Sequence, residues 1–136
     1  MPQLKEIEHT ADRAFLVRGK DLNELFTQAA QALLQFEGRK PYGKGSLSRE
    51  AEVEVEGFDR ETLLVNWLNE ILYLQEAREE TYTGAEILEI SDQHLKARLK
   101  GQPGDRRMRL IKAVTFHGLR IKETTKGIEA TVIVDV

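Results

Sequence analysis

The sequence has 136 residues, the length of a single domain, which we place over residues 1–136. Its 40% hydrophobic and 32% charged residues exclude a disordered protein, and its net charge of -3 excludes a free-standing nucleic-acid-binding protein, which needs a clustered excess of Lys and Arg. The chain has no cysteine, which excludes disulfides and thiolate metal sites. No stretch approaches the ~20 apolar residues of a membrane-spanning helix. We therefore expect a soluble cytoplasmic protein that does not contact a membrane.

A first helix is predicted over residues 21–36, DLNELFTQAAQALLQF, where apolar residues recur at helical spacing. Asp21 is a suitable N-cap, and Glu24, three residues later, completes an acidic version of the capping box. Gly38 suits the end of the helix, because glycine adopts the left-handed conformation that often follows a helix.

A glycine-rich loop is predicted over residues 38–48, GRKPYGKGSLS. The loop is basic, and we interpret its cations as a solvated turn rather than a docking site: they are Arg39, Lys40 and Lys44. The strict alternation of AEVEVEGF, residues 51–58, then predicts a half-buried strand. Its glutamate face could attract cations but is more simply explained as a solvated face.

A second helix is predicted over residues 60–80, RETLLVNWLNEILYLQEAREE, with Asp59 as its N-cap. The apolar stripe is broad enough to indicate burial against a sheet. Three polar positions beside this stripe are interpreted as the solvent-facing side of the helix: Asn66, Asn69 and Glu70.

The rest of the sequence predicts strands. Residues 86–90 and 94–101 form a hairpin, and two further strand-like segments cover residues 108–121 and 127–136. Two helices and about seven strands, mostly in local hairpins, predict an α+β fold in which two amphipathic helices pack on a mostly antiparallel sheet of six or seven strands. A duplicated strand-helix-strand unit is conceivable, although no residue-level repeat is visible.

Two aspartates are candidate metal ligands. Asp135 follows a β-branched run, so Asp135 and the terminal carboxylate of Val136 are expected at the end of a core strand. Asp12, in the segment HTADRAF, is also expected at a strand edge. If Asp12 approaches the same point, the carboxylates would repel one another unless a cation compensated them, and hard oxygen ligands select calcium or magnesium. The alternative is a capping aspartate and a frayed C-terminus.

The segment IKAVTFHG holds a second pair of candidates, Lys112 and His117. Lys112 among apolar residues either extends to the rim of the core or neutralises a buried anion. His117 precedes Gly118, where a strand bends, although a lone histidine is more often a structural residue. Catalytic motifs are absent: there is no phosphate-binding glycine loop, no HExxH and no Gly-x-Ser-x-Gly.

Five motifs in order resemble the archease family: HTAD, ELFTQAAQALLQF, VNWLNEILYL, KAVTFHGL and IVDV. The resemblance covers residues 7–136. It implies a small cytoplasmic protein that is not itself an enzyme and that activates the RtcB-type RNA-splicing ligase, the ligase that joins tRNA exons. Such a protein promotes guanylylation of the ligase by GTP and allows multiple turnover, and it meets GTP and RNA only through the ligase.

The resemblance also implies a metal site made by Asp12, Asp135 and the main-chain oxygen of Val136, with calcium as the expected ion and magnesium or manganese as alternatives. Lys112 matches a position that contacts the ligase or a nucleotide phosphate, and His9 and His117 lie in matching motifs. Arg13 departs from the smaller or apolar residue expected beside Asp12, and pairing between the two would weaken the cation site.

Two other functions are kept as alternatives. One is a chaperone-like modulator of a tRNA methyltransferase, since proteins that resemble archease have been linked with RNA modification. The other is a metal-dependent phosphoesterase built on Asp12, Asp135 and His117, for which the sequence offers no clear general base.

Overall fold

The computed structural model describes residues 3–6, 12–37, 48–104, 111–116 and 118–136, and of residues 3–6 and Asp12 it describes the backbone alone. Within these residues the chain forms two helices and eight strands. The helices are α1 (Leu22–Glu37) and α2 (Arg60–Arg78). The strands are β1 (Gln3–Glu6), β2 (Asp12–Gly19), β3 (Arg49–Glu56), β4 (Glu80–Ile90), β5 (His94–Pro103), β6 (Ala113–Thr115), β7 (Ile121–Thr124) and β8 (Gly127–Asp135).

The described strands divide into two antiparallel sheets. The larger sheet has the order β1-β2-β8-β6, with β7 also paired to β8, and the smaller sheet has the order β3-β5-β4. Because β2 pairs with residues 128–135 of β8, β6 and β7 must occupy the opposite edge of that strand. The α+β class is confirmed, and the strands expected in one sheet belong to two.

The two helices lie between the sheets. Each helix contacts strands of both sheets, and the apolar faces of both sheets join the helices in one core. In α2 the consecutive residues Leu63, Leu64 and Val65 are all buried, which requires apolar surroundings on more than one side of the helix. Trp67 is fully buried and donates a 3.1 Å hydrogen bond from its indole nitrogen to the carbonyl oxygen of Phe26, which ties α2 to α1.

Charged side chains cover the outer face of the smaller sheet. Arg98 of β5 lies 3.5 Å from Glu52 of β3 and 3.5 Å from Glu86 of β4, and His94 lies 2.6 Å from Glu54. Basic side chains within the protein therefore face the glutamates of β3, and the interpretation of this row as a solvated face fits the exposure of these glutamates. Each such pair contributes little to stability on its own.

Both helices begin at the predicted caps. A carboxylate oxygen of Asp21 accepts the amide of Glu24 at 2.9 Å, and one of Asp59 accepts the amide of Thr62 at 2.7 Å. The end of α2 differs from the prediction, because the helix stops at Arg78 and Glu79 adopts a left-handed conformation with φ 51°. This turn lets β4 begin at Glu80, six residues before the predicted strand at residue 86, where it pairs with the end of β5.

The cap at Asp59 generates a prediction about stability and pH. Hydrogen bonds from Thr62 hold the pKa of Asp59 below its ordinary value, so this carboxylate stabilises the fold above the ordinary Asp range and loses that effect as the pH falls through the lowered pKa. Asp59→Ala is expected to lower the free energy of unfolding by about 1 kcal/mol at neutral pH, measured by urea denaturation.

The matched control is Asp59→Asn, which keeps an acceptor oxygen but cannot titrate. The stability gap between wild type and Asp59→Ala should shrink in acid, whereas the gap between Asp59→Asn and Asp59→Ala should not. Equal stability of wild type and Asp59→Ala at neutral pH would contradict the assignment of this cap.

Candidate metal centre and the adjoining lysine

The register of β2 and β8 places two aspartates opposite each other. The Cα partner of Asp12 in the antiparallel pair is Asp135, at the first position of β2 and the last position of β8. The backbone pairing therefore brings the two positions together, although they are 123 positions apart along the chain.

Carboxylates at directly opposed positions of a sheet repel each other, and a compensating charge relieves that repulsion. Residues at opposed positions of an antiparallel pair have Cβ atoms about 4.5–5.5 Å apart, and like charges there are destabilising. Asp135 and Val136 are half-buried, and Val136 packs against the core, so solvent screening is reduced on one side of the pair.

The donor chemistry of this position fits a hard cation. Two carboxylates and a main-chain oxygen of Val136 are the ligand type that calcium and magnesium prefer, with water completing the coordination. Within the described part of the chain, no group of three or more His, Cys, Asp or Glu side chains comes together. The resemblance implies that a cation here would draw on main-chain oxygen as well as carboxylates.

Arg13 occupies a different row of the sheet from Asp12. Its Cα partner is Val134, which is fully buried, whereas the partner of Asp12 is Asp135. Because successive positions of a strand belong to opposite faces, positions 12 and 13 lie on opposite faces of β2. The side chain of Asp12 lies outside the described part of the structure, so the pairing of Arg13 with Asp12 that would weaken a cation site stays a prediction.

Lys112 is joined to the same point through its backbone. Its amide donates a 2.7 Å hydrogen bond to the carbonyl oxygen of Asp135, and the next residue, Ala113, is the Cα partner of Asp135 in β6. The exposed side chain of Lys112 lines a groove of about 370 Å³ against α2. The other residues of this groove are Asn69, Leu72, Tyr73, Glu76 and Ala77.

Two of the α2 positions that the sequence assigned to solvent are bonded to sheet edges instead. The side-chain nitrogen of Asn66 donates to the carbonyl oxygen of Glu56 at 2.8 Å. Asn69 makes two hydrogen bonds to the backbone of Val114 in β6. The interpretation of Asn69 as a solvated position is wrong, because it satisfies both backbone groups of Val114 in a part-buried position, whereas the bond of Asn66 lies at an exposed position.

The side chain of Glu37, at the end of α1, makes a contact that was not predicted from the sequence. Its side chain is 1% exposed and accepts the amide of Ile111 at 2.7 Å, immediately before Lys112. A glutamate at the end of a helix carries no sequence signal for such a role.

Several predicted residues lie outside the described part of the chain. These are His9, His117 and the basic loop residues Arg39, Lys40 and Lys44. Their predicted roles stay predictions. Among the described residues, no helix is both long enough and apolar enough to cross a membrane.

The fold and the residues gathered at the end of β8 define a small α+β protein with a candidate carboxylate site at the edge of a sheet. The model of the Archease protein family (MTH1598/TM1083) matches residues 4–136. The chain belongs to the archease family.

Relatives and solved structures agree with this assignment. The chain is 38% identical over 135 residues to the protein archease of Archaeoglobus fulgidus, covering 96% of each chain. It is 37% identical over 138 residues to that of Methanosarcina acetivorans, covering 96% of this chain and 93% of the relative.

Two solved structures share the fold. The solution structure of Methanobacterium thermoautotrophicum protein 1598 superposes with a TM-score of 0.64 at 27% identity, covering 99% of this chain and 98% of that one. A Thermotoga maritima crystal structure, described as an archease and possible chaperone, has a TM-score of 0.68 at 22% identity and covers 97% and 96% of the two chains.

Substitution of one of the two opposed aspartates is expected to stabilise the protein rather than destabilise it. With a chelator present, Asp135→Asn is expected to raise the free energy of unfolding by about 0.2–1 kcal/mol, because it removes a like-charge pair. Urea denaturation at neutral pH and low salt measures this change.

The matched control is Glu129→Gln on the same strand. Glu129 faces Arg18 at 3.1 Å, so this variant should be neutral or slightly less stable than wild type. A loss of stability for Asp135→Asn under chelation would show that the two carboxylates do not repel each other in the folded protein.

Proposed function

We propose that this protein activates an RtcB-type RNA-splicing ligase by promoting its guanylylation by GTP and its multiple turnover in tRNA exon ligation. The observation that carries the proposal is the meeting of Asp12, Asp135 and the backbone of Lys112 at the end of β8. These residues belong to the motifs that resemble the archease pattern, and membership of the family supports the assignment.

In this proposal the bound ion is calcium, with magnesium or manganese as alternatives, held by Asp12, Asp135 and the main-chain oxygen of Val136. When bound, the ion supplies positive charge that offsets the two carboxylates and offers open coordination positions to oxygen ligands of a partner. The carboxylates fix the position of this charge because they are attached to paired strands rather than to loops.

Lys112 supplies a second positive charge, on a segment whose backbone is bonded to Asp135. Its exposed side chain lines the groove next to α2. A lysine in this setting suits contact with a phosphate or a carboxylate of the ligase. His9 and His117 are proposed as additional partner contacts, on the resemblance alone.

We propose a protein cofactor rather than an enzyme. The groove beside Lys112 is lined by Tyr73, which is 63% exposed, and by the charged Glu76, so it resembles a contact surface more than an enclosed substrate pocket. GTP and RNA would then bind the ligase, and this protein would act on the ligase through its surface.

A chaperone-like action on a tRNA methyltransferase is a second candidate. The observation that favours it is the description of the Thermotoga maritima relative as a possible chaperone. A phosphoesterase is the third candidate, and it requires that the protein alone hydrolyse a generic phosphodiester with magnesium or manganese present.

The test is an assay of ligase guanylylation and multiple-turnover ligation with the RtcB-type ligase of the same organism, GTP and a divalent cation. Wild type is expected to stimulate both steps. Asp135→Ala and Lys112→Ala are expected to lower the stimulation by about tenfold, within the usual range of coupling free energies between sites.

Lys122→Ala is the matched control, because Lys122 is an exposed lysine on β7 of the same sheet, near the opposite end of β8. This variant should stimulate like wild type. A wild-type protein that fails to stimulate would overturn the proposal, and equal stimulation by Asp135→Ala would keep the activator role and remove the metal site from it.

A further inference from the structure

The segment that carries Lys112 has little strand pairing of its own. β6 contains three residues, Ala113–Thr115, and pairs with β8 along one edge. A strand this short contributes few ladder hydrogen bonds, so its position depends on other anchors.

The other edge of β6 is held by a side chain instead of a strand. The amide nitrogen of Asn69 donates to the carbonyl oxygen of Val114 at 3.0 Å, and the amide oxygen of Asn69 accepts the Val114 N–H at 2.8 Å. One asparagine therefore satisfies both backbone groups of the residue, as a neighbouring strand would. Val114 is 4% exposed, so the same residue is also fixed by core packing.

Two further bonds fix the residues just before β6. Glu37 of α1 accepts the Ile111 amide at 2.7 Å, and the carbonyl oxygen of Asp135 accepts the Lys112 amide at 2.7 Å. Residues 111–114 are thus anchored by α1, by β8 and, through Asn69, by α2. We call this stretch the anchored segment.

Within the anchored segment, Asn69 is the anchor nearest to Lys112 on its C-terminal side. Without its amide, the N–H and carbonyl of Val114 would face α2 with no partner from that side chain, in a part-buried position where an unpaired polar group is costly. The expected response is that β6 separates from α2 and admits water. The backbone of Lys112 would then no longer be held against Asp135.

We propose that Asn69 is a positioning residue for ligase activation, acting through β6 to hold Lys112 beside Asp135. The expected effect on ligase stimulation rests on the proposed function. The expected effect on amide hydrogen exchange rests on the geometry of the anchored segment alone. Asn69 is not required to touch the ligase or a nucleotide.

Asn66 provides a matched control one turn earlier on the same helix. Its side-chain nitrogen donates at 2.8 Å to the carbonyl oxygen of Glu56, at the end of β3 in the smaller sheet. Asn66→Ala therefore removes an asparagine from the same helix and frees a sheet-edge carbonyl, as Asn69→Ala does, but it leaves the anchored segment intact.

The experiment compares amide hydrogen exchange and ligase stimulation in wild type, Asn69→Ala and Asn66→Ala, at a temperature where all three are folded. Exchange at the Lys112 amide is expected to be faster by about tenfold or more in Asn69→Ala than in Asn66→Ala, because local opening of β6 costs less without the clamp. Amides of β5 report global unfolding and should not show this difference.

Stimulation of the ligase should fall in Asn69→Ala and persist in Asn66→Ala, at equal concentrations of folded protein. If Asn69→Ala does not fold, Asn69→Asp replaces it, since the aspartate keeps the acceptor for the Val114 amide while losing the donor. An intermediate rate of Lys112 exchange is then expected.

Equal Lys112 exchange in the Asn69 and Asn66 variants would overturn the positioning role, and so would full stimulation by Asn69→Ala. Failure of the wild-type protein to stimulate the ligase is a separate result. It would overturn the proposed function, whereas the exchange comparison would still decide whether Asn69 positions Lys112.

Discussion

Strand β8 is hydrogen-bonded along both edges, to β2 on one side and to β6 and β7 on the other, and its register fixes which residues meet at its end. Phe15 and Val17 of β2 are buried on the core face of this pair. A slip of one residue would turn both side chains out of the core, at a cost of about 1.5–3 kcal/mol for each.

That cost decides the position of the two aspartates. Repulsion between opposed carboxylates amounts to about 1 kcal/mol at most, which is less than the cost of losing the core contacts. Hydrophobic burial therefore holds Asp12 opposite Asp135 whether or not a cation is present. The fold itself brings the two aspartates together. A cation that binds there therefore does not have to overcome the cost of assembling its site.

Side chains of the second helix bond backbone groups at the edges of both sheets. α2 is apolar on several sides, yet Trp67, Asn66 and Asn69 use their polar atoms on backbone groups of α1, β3 and β6. The bonds of Trp67 and Asn69 pair polar groups where water has limited access, whereas the bond of Asn66 lies at an exposed position. α2 thereby links α1 to both sheets and helps to set the position of the short strand next to Lys112.

Much of this fold could be predicted from the sequence, because capping aspartates and helical periodicity locate α1 and α2, and alternation locates β3 and β5. The division into two sheets could not, since alternation shows that a strand has a buried face but does not identify its partners. The roles of Asn69 and Glu37 were also hidden, because a polar residue bonded to a distant backbone has the same sequence signature as a solvated one. The strand pattern and the family motifs both pointed to Asp12 and Asp135, and the register of β2 and β8 then placed the two positions opposite each other.

The most direct measurement for the metal centre is a crystal structure of the protein grown with calcium. One calcium ion is expected, bound by carboxylate oxygens of Asp12 and Asp135 and by the main-chain oxygen of Val136, at about 2.3–2.6 Å. A structure at saturating calcium in which these carboxylates bind no ion would contradict this expectation.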